Sequence, residues 1–394
     1  MQCAETARKE KFGVVTHIAL VAATPFYGPR GWVQWPGNED YSFQFMQILG
    51  AAQDGGSTIS ECFRAASSIN PGDDESWYRE WKKLADTSKE RGDTAFHSGH
   101  TETALSNWLR AMNYFRAAQT FLGTNDRRRS AAIAHMQACS QLYLRAASVG
   151  ETVEIPWAEN EVLQGYFLPA PQRGGASPTV ICFGGPDRFK EEYLHSLPRY
   201  AHRRGLSLLL VDLPGYRPGA LSDDGAPGRF DIETAISGCM DHLIANDGVD
   251  PERIAVFGDG LGAAFATRGA SLDHRFAAVV CDGGIWDLHE RAFLTVNIAS
   301  GGCGGTAGFD KLCGGSIAKN IRCPILVTIG EHDWLDAGHV TGCCQALRAS
   351  GLDIDLKIFT AAETAAGPGH VDNPTIGNEF IFDWIADRLR GPAA

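Results

Sequence analysis

Apolar residues recur at spacings of three and four in the first part of the chain and in short unbroken runs in the second. Between positions 104 and 122 they fall at Ala104, Leu105, Trp108, Leu109, Met112, Phe115, Ala118 and Leu122, the period of one buried face of an α-helix. Trp77, Trp81 and Leu84 keep that period, and Asp126 with Arg127, Arg128 and Arg129 opens a further stretch through Ala131, Ile133, Ala134 and Leu142. From about Tyr41 to Ala147 the pattern predicts a helical layer whose stripes pack into a core.

Near residue 150 the pattern changes. Glu151–Trp157 and Val162–Leu168 read as an antiparallel strand pair. Apolar runs of buried-strand length follow at Thr179–Phe183, Leu206–Val211, Ile254–Phe257, Ala277–Val280, Ile325–Ile329 and Leu356–Phe359, with helical stretches around 190–204, 232–247, 261–270, 337–350 and 376–390. Strands alternating with helices predict an α/β, mostly parallel, doubly wound sheet with an antiparallel edge. The expected division is a helical, substrate-binding domain over 1–150 and a catalytic domain over 151–394. Ligands of such sheets bind at the carboxyl ends of the strands. Residues 284–320 interrupt the alternation, and the glycines between 301 and 315 predict a mobile loop bordering the cleft.

Composition adds bounds. The chain has 394 residues, is 44% hydrophobic and 21% charged, and carries a net charge of −12. With no long basic run, neither nucleic acid nor an anionic membrane is an expected partner. No run approaches the ~20 apolar residues of a membrane span. Phe12–Ala23 follows Arg8, Lys9 and Lys11 as a signal peptide would, but contains His17 and runs into Pro25 and Phe26 rather than a small-residue cleavage site. The 11 scattered cysteines, some within apolar runs (Cys182, Cys281), suit reduced thiols in a cytoplasmic protein. They form no zinc spacing, so no metal is expected.

The candidate chemistry lies at Ile254-Ala255-Val256-Phe257-Gly258-Asp259-Gly260-Leu261-Gly262. An apolar run entering a glycine-rich turn before a small-residue helix is the setting of the nucleophile elbow, Gly-x-Ser-x-Gly. Here the nucleophile position is Gly260. Asp259 lies one residue before the tip, and the glycines lack dinucleotide-loop spacing.

The other members of a Ser…Asp/Glu…His order are in place. Asp333 follows the run ending at Ile329, and His370 follows the last strand and its loop. A carboxylate behind an imidazole fixes its tautomer, and the imidazole serves as general base. His332 and Asp336 rank behind these two. Oxyanion donors are expected from the N–H of Leu261 and from the loop Phe183-Gly184-Gly185-Pro186-Asp187, where proline has no N–H and leaves Gly185 or Asp187. Asp212-Leu213-Pro214-Gly215 reads as structural. Asp282, ending the strand after the elbow, is a candidate for holding a polar substrate group. Substrate-facing aromatics are expected among Tyr114, Phe115, Trp77 and Trp108, with Phe26, Tyr27 and Trp32 near the N-terminus.

Several segments together resemble one branch of the α/β-hydrolase superfamily: the 2,6-dihydroxypseudooxynicotine hydrolase, the fungal yellowish-green polyketide-shortening hydrolases and the fermentation–respiration switch proteins. In the helical part these are Glu75-Ser76-Trp77…Glu80-Trp81 and Leu109-Arg110-Ala111…Asn113-Tyr114-Phe115-Arg116-Ala117-Ala118. In the catalytic part they are Gly184-Gly185-Pro186-Asp187, Arg253 to Gly258, Gly330-Glu331-His332-Asp333, and His370 followed by Asn373-Pro374-Thr375…Gly377-Asn378-Glu379. The resemblance implies an α/β-hydrolase fold with an N-terminal helical cap. It also implies retro-Claisen C–C cleavage beside a carbonyl without a cofactor, with Asp333 as triad acid, His370 as base and Leu261 as oxyanion donor. It further implies a mid-sized small-molecule substrate, polyketide-like or aromatic and bearing a carbonyl, and a homodimer paired through the cap. Switch-protein members also lack a serine at the elbow.

Three readings follow from Gly260. In the first, His370 with Asp333 moves a proton while the oxyanion hole holds an enolate, giving lyase, cyclisation or water-mediated C–C cleavage. In the second, glycine replaces the serine of a serine C–C hydrolase. In the third, the chain is a non-catalytic binding or regulatory relative.

Overall fold

The structure, a computed structural model, describes residues 33–123, 125–171, 175–185, 188–214, 232–284, 317–333 and 335–390. Helices α1 (Glu39–Gly50), α2 (Ile59–Ala66), α3 (Asp74–His97), α4 (Thr101–Gln119) and α5 (Arg127–Ala147) form the N-terminal layer. Three of their starts follow ordinary capping: Thr58, Asp73 and Asp126 each accept a backbone N–H of the first turn of α2, α3 and α5.

Strands β1 (Glu151–Ala158) and β2 (Glu161–Leu168) make the antiparallel edge, with Asn160 taking the left-handed conformation of the turn between them. The sheet continues with β3 (Ser177–Phe183), α6 (Tyr193–Ser196), α7 (Pro198–Arg203), β4 (Ser207–Val211), α8 (Ile232–Ile244), β5 (Val249–Asp259) and α9 (Gly262–Leu272). It closes with β6 (Ala278–Asp282), β7 (Ile325–Gly330), α10 (Ala337–Ala349), β8 (Ile354–Phe359) and α11 (Pro374–Arg388). The eight strands lie in the order β1-β2-β4-β3-β5-β6-β7-β8, parallel from β4 to β8. The helical stretch expected over 190–204 is broken in two at Pro198, which cannot donate a helical N–H.

Strand alternation divides the interior. Val180, Cys182, Leu208, Leu210, Phe257 and Val280 share one core with Trp77, Trp81, Met112 and Phe115 of the helical layer and with Ile381 and Phe382 of α11. Ile181, Phe183, Leu209, Val256, Val279 and Val327 face the other way, onto α8, α9 and α10. Because both faces are covered, the strands read as continuous apolar runs. No helix among the described residues is long and apolar enough to cross a membrane. No disulfide joins the described cysteines. The signal-peptide-like stretch and nearly all of the 284–320 insertion lie outside the described residues.

Candidate active site

The elbow is built from close backbone approach. Strand β5 ends at Asp259 and α9 begins at Gly262, so Gly260 and Leu261 form the turn. A Cβ on Gly258 would stand 2.1 Å from the Gly262 carbonyl oxygen, and one on Gly262 would stand 2.7 Å from that of Phe183. Space therefore demands both frame glycines. Gly260 differs: a Cβ there would meet nothing within 4 Å, although its φ is +59°. The tip favours glycine by conformation and not by crowding.

The intrahelical ladder of α9 starts with Ala263 N–H donating to the Gly260 carbonyl at 3.1 Å. The N–H groups of Leu261 and Gly262 lie ahead of it, at the positive end of the helix. Gly185 lies in the loop after β3, which presses on this turn through Phe183 and Gly184.

His370 is 3% exposed. Its Nδ1 lies 2.8 Å from the Ala365 carbonyl oxygen and its Nε2 lies 2.8 Å from Asp282 Oδ1. The Thr328 hydroxyl donates to the same Asp282 oxygen at 2.7 Å. A carbonyl and a carboxylate can only accept, so both ring nitrogens carry hydrogen and the imidazole is cationic. Burial alone would lower its pKa. The charge and hydrogen bond of Asp282 outweigh that, helped by the Ala365 carbonyl and the charge of Asp333, and raise it to about 9. For Asp282, burial is likewise outweighed by His370 and the Thr328 hydroxyl, and the carboxyl is held below its usual range.

Asp282, expected to hold a polar substrate group, is thus the carboxylate that touches His370, in the position expected of Asp333. The cause is the path of the chain after β8. A Cβ on Gly330 would lie 2.2 Å from the Ala366 carbonyl oxygen. That glycine lets the 365–370 loop press onto the end of β7, where Ala366 also accepts the His332 N–H at 2.9 Å. The loop then turns through left-handed Gly369 and His370, with φ of 57° and 54°. The imidazole is delivered beyond β7 to the end of β6. Asp336 caps α10 by accepting the His339 N–H.

Tyr114 and Trp77 sit inside the helical layer. The Tyr114 hydroxyl accepts the Thr58 N–H at 3.0 Å and donates to Glu61 at 2.8 Å. Trp77 Nε1–H donates to the Ala117 carbonyl at 2.7 Å, and its ring packs edge-on to Tyr41 and Phe121. Both are buried and bonded within that layer. Asp187, Phe26, Tyr27 and Trp32 lie outside the described residues.

Sequence reasoning did not single out Arg188 or Tyr193. Arg188 Nη2 lies 2.7 Å from Asp259 Oδ2, and the Tyr193 hydroxyl donates to the same oxygen at 3.1 Å. Glu192 bridges Arg188 at 3.5 Å and Arg116 of α4 at 3.3 Å, tying the helical layer to the loop after β3. Asp212 accepts from Lys190 through both backbone N–H and Nζ, a structural role. Among the described residues no group of three His, Cys, Asp or Glu side chains forms a metal cluster.

A parallel doubly wound sheet with a glycine-framed elbow and a histidine after its last strand defines the α/β-hydrolase fold. The crystal structure of the 2,6-dihydroxy-pseudo-oxynicotine hydrolase has that fold too. It superposes with a TM-score of 0.69 at 20% identity, over 86% of this chain and 95% of that one. The Esterase FrsA-like family profile matches residues 72–292, more than half of the sequence, and the chain belongs to that family.

Among curated proteins it is 34% identical over 254 residues to hydrolase LUC6 of Fusarium sp, covering 62% of this chain and 60% of that protein. It is 33% identical over 265 residues to hydrolyase poxO of Penicillium oxalicum, covering 64% and 62%. The 20-hydroxy-prefusarin hydrolase FUS2 of Gibberella moniliformis is 33% identical over 265 residues, again at 64% and 62%. The chain spans about three fifths of the length of these relatives.

Proposed function

We propose that this protein is a cofactor-free enzyme of α/β-hydrolase type that cleaves a carbon–carbon bond beside a carbonyl in a small polyketide-like or aromatic substrate. It does so by proton transfer at His370, without an acyl-enzyme. The observation that carries the reading is the His370–Asp282 pair, buried and hydrogen-bonded at both ring nitrogens, at strand ends where the elbow presents Gly260 in place of a nucleophile. The hydrolase names of the relatives support it.

The chemistry follows from these groups. The substrate carbonyl oxygen accepts from Leu261 and Gly185 N–H, which stabilise the charge it gains. Water adds to the carbonyl carbon and gives up a proton to Asp282. The C–C bond then breaks, its electron pair leaving as a carbanion or enolate that takes the Nε2 proton of His370. Transfer of the proton from Asp282 to His370 along their hydrogen bond restores the starting state. The sum is one water consumed, with one carboxylic acid and one C–H product formed.

The test is incubation with aryl 1,3-diketones in D₂O. The reading expects deuterium at the new C–H position, no covalent adduct on the protein by mass, and a loss of about 10²–10⁴-fold in His370→Gln. Undiminished turnover in that variant overturns it. A second reading, a serine hydrolase deprived of its serine, is favoured by the open space at the tip of Gly260. It expects Gly260→Ser to gain p-nitrophenyl ester hydrolysis with an acyl-enzyme detectable by mass.

A further inference from the structure

Asp259 and Asp282 are register partners at the carboxyl ends of β5 and β6. Residues 255, 257, 278 and 280 of these strands all belong to the core shared with the helical layer, so by alternation both carboxylates emerge on that one face. Two buried carboxylates side by side are tolerated only if each is compensated. Asp282 has His370. Asp259 has Arg188, whose Nε and Nη2 lie 2.9 and 2.7 Å from one carboxylate oxygen.

Arg188 is not an ordinary counter-ion, because of where its backbone sits. Its N–H donates to the Gly185 carbonyl at 3.1 Å, closing the loop that carries one oxyanion donor. Asp259 directly precedes the tip that carries the other. The loop and the elbow touch without side chains between them: a Cβ on Gly262 would fall 2.7 Å from the Phe183 carbonyl oxygen and 3.0 Å from the Gly184 carbonyl carbon. The ion pair links the loop after β3 to the elbow beside that contact, and the Tyr193 hydroxyl donates to the same Asp259 oxygen.

We infer that Arg188 is a positioning residue: through Asp259 it locks the Gly185 loop to the elbow and so fixes the distance between the oxyanion donors of Gly185 and Leu261. The role rests on the reading of those two N–H groups given above. It is independent of the proton chemistry at His370. A shift of about 1 Å between paired donors is enough to cost ~100-fold in rate, which is why such a latch matters.

The experiment reads geometry without turnover. Hydrogen exchange is followed in the full chain for Arg188→Gln, Arg188→Lys, Asp259→Asn and the Arg188→Gln/Asp259→Asn double variant. Amides of Gly184, Gly185, Leu261 and Gly262 exchange about tenfold faster in Arg188→Gln and in Asp259→Asn, while those of β6 and β7 keep their protection. The double variant exchanges no faster than either single one, and Arg188→Lys recovers part of the protection.

The ring ¹⁵N signals of His370 move in Asp259→Asn and stay in place in Arg204→Gln, a control that breaks the surface pair with Asp383. Unchanged exchange at the four amides overturns the inference. So does a loss of protection spread evenly over the sheet, or additive effects in the double variant. Should Arg188→Gln fail to fold with Asp259 left unpaired, Asp259→Asn and the double variant still decide. Inactivity toward diketones would remove the proposed reaction and leave these readings standing.

Discussion

Asp259 and Asp282 stand opposite each other across β5 and β6, yet their carboxyls are driven apart in acidity. Burial raises Asp259 despite Arg188, and the neighbouring charge of Asp282 raises it further. Asp282 is lowered because the His370 charge and hydrogen bond outweigh burial. One cation is a permanently charged guanidinium and the other an imidazole that can release its proton. The proton that can be released is thereby confined to the His370 side.

Stability should carry the mark of that pair. The folded-state pKa of His370, about 9, lies above the ordinary histidine value of 6.5. Its contribution is complete below about pH 6.5 and is lost as pH rises through about 9. Thermal unfolding followed from pH 6 to 10 should show the midpoint falling across that window, with a flatter profile in His370→Gln. An identical slope in both proteins would mean that the pair does not exist in solution.

The three elbow glycines should separate under substitution. Gly258→Ala and Gly262→Ala drive a methyl into backbone oxygens at 2.1 and 2.7 Å, and should cost 3 kcal/mol or more, on the order of the larger single-substitution effects. Gly260→Ala meets open space and pays only for its left-handed backbone, about 1–2 kcal/mol. Urea unfolding of the three variants checks the order.

Much of this was legible in the sequence. Each apolar run from Thr179 to Phe359 lies within an observed strand apart from single end residues such as Leu206 and Ala277, because strands covered on both faces need no polar alternation. The frame glycines Gly258 and Gly262 announced themselves because close backbone approach leaves no other residue. The partner of His370 did not. Asp282 and Asp333 both follow strand ends, and choosing between them depends on a loop passing over Gly330 and on two left-handed residues 39 and 40 positions after it. No local pattern encodes that. Arg188 was silent for the same reason: its partner is 71 residues away.

Aromatic periodicity was equally mute on which face a ring serves. Tyr114, read as a substrate contact, spends its hydroxyl on Thr58 and Glu61. Tyr114→Phe should therefore cost about 1–2 kcal/mol of stability, the penalty for unpairing buried groups, and leave KM unaltered. A raised KM with unchanged stability would return Tyr114 to the cleft.

The Lys190 ammonium lies 2.9 Å from both Glu191 and Asp212, and is 3% exposed. Tyr166 completes the cluster by donating to Glu191 at 2.9 Å. Lys190→Met leaves the buried Glu191 and the partly buried Asp212 without their cation and should destabilise by about 3–5 kcal/mol. Chemical denaturation at neutral pH measures it, and part of the loss should be recovered at low pH as the carboxylates take up protons.

The assignment of Asp282 rather than Asp333 to His370 yields the sharpest contrast. Asp282 Oδ1 touches Nε2, whereas Asp333 contributes only the last and smallest of the influences raising the imidazole. Asp282→Asn removes both the adjacent charge and the proton acceptor for water. The His370 ring should then titrate below 9, with burial free to lower it further, and diketone turnover should fall by about 10²-fold or more. Asp333→Asn should lower the titration slightly, since its charge is the least of the influences that raise the imidazole, and retain most of the turnover. An NMR titration of the ring in both variants, set beside their rates, reads the two effects separately. The reverse ranking would show that the imidazole turns to Asp333 when substrate binds, and the proton path drawn through Asp282 would have to be abandoned.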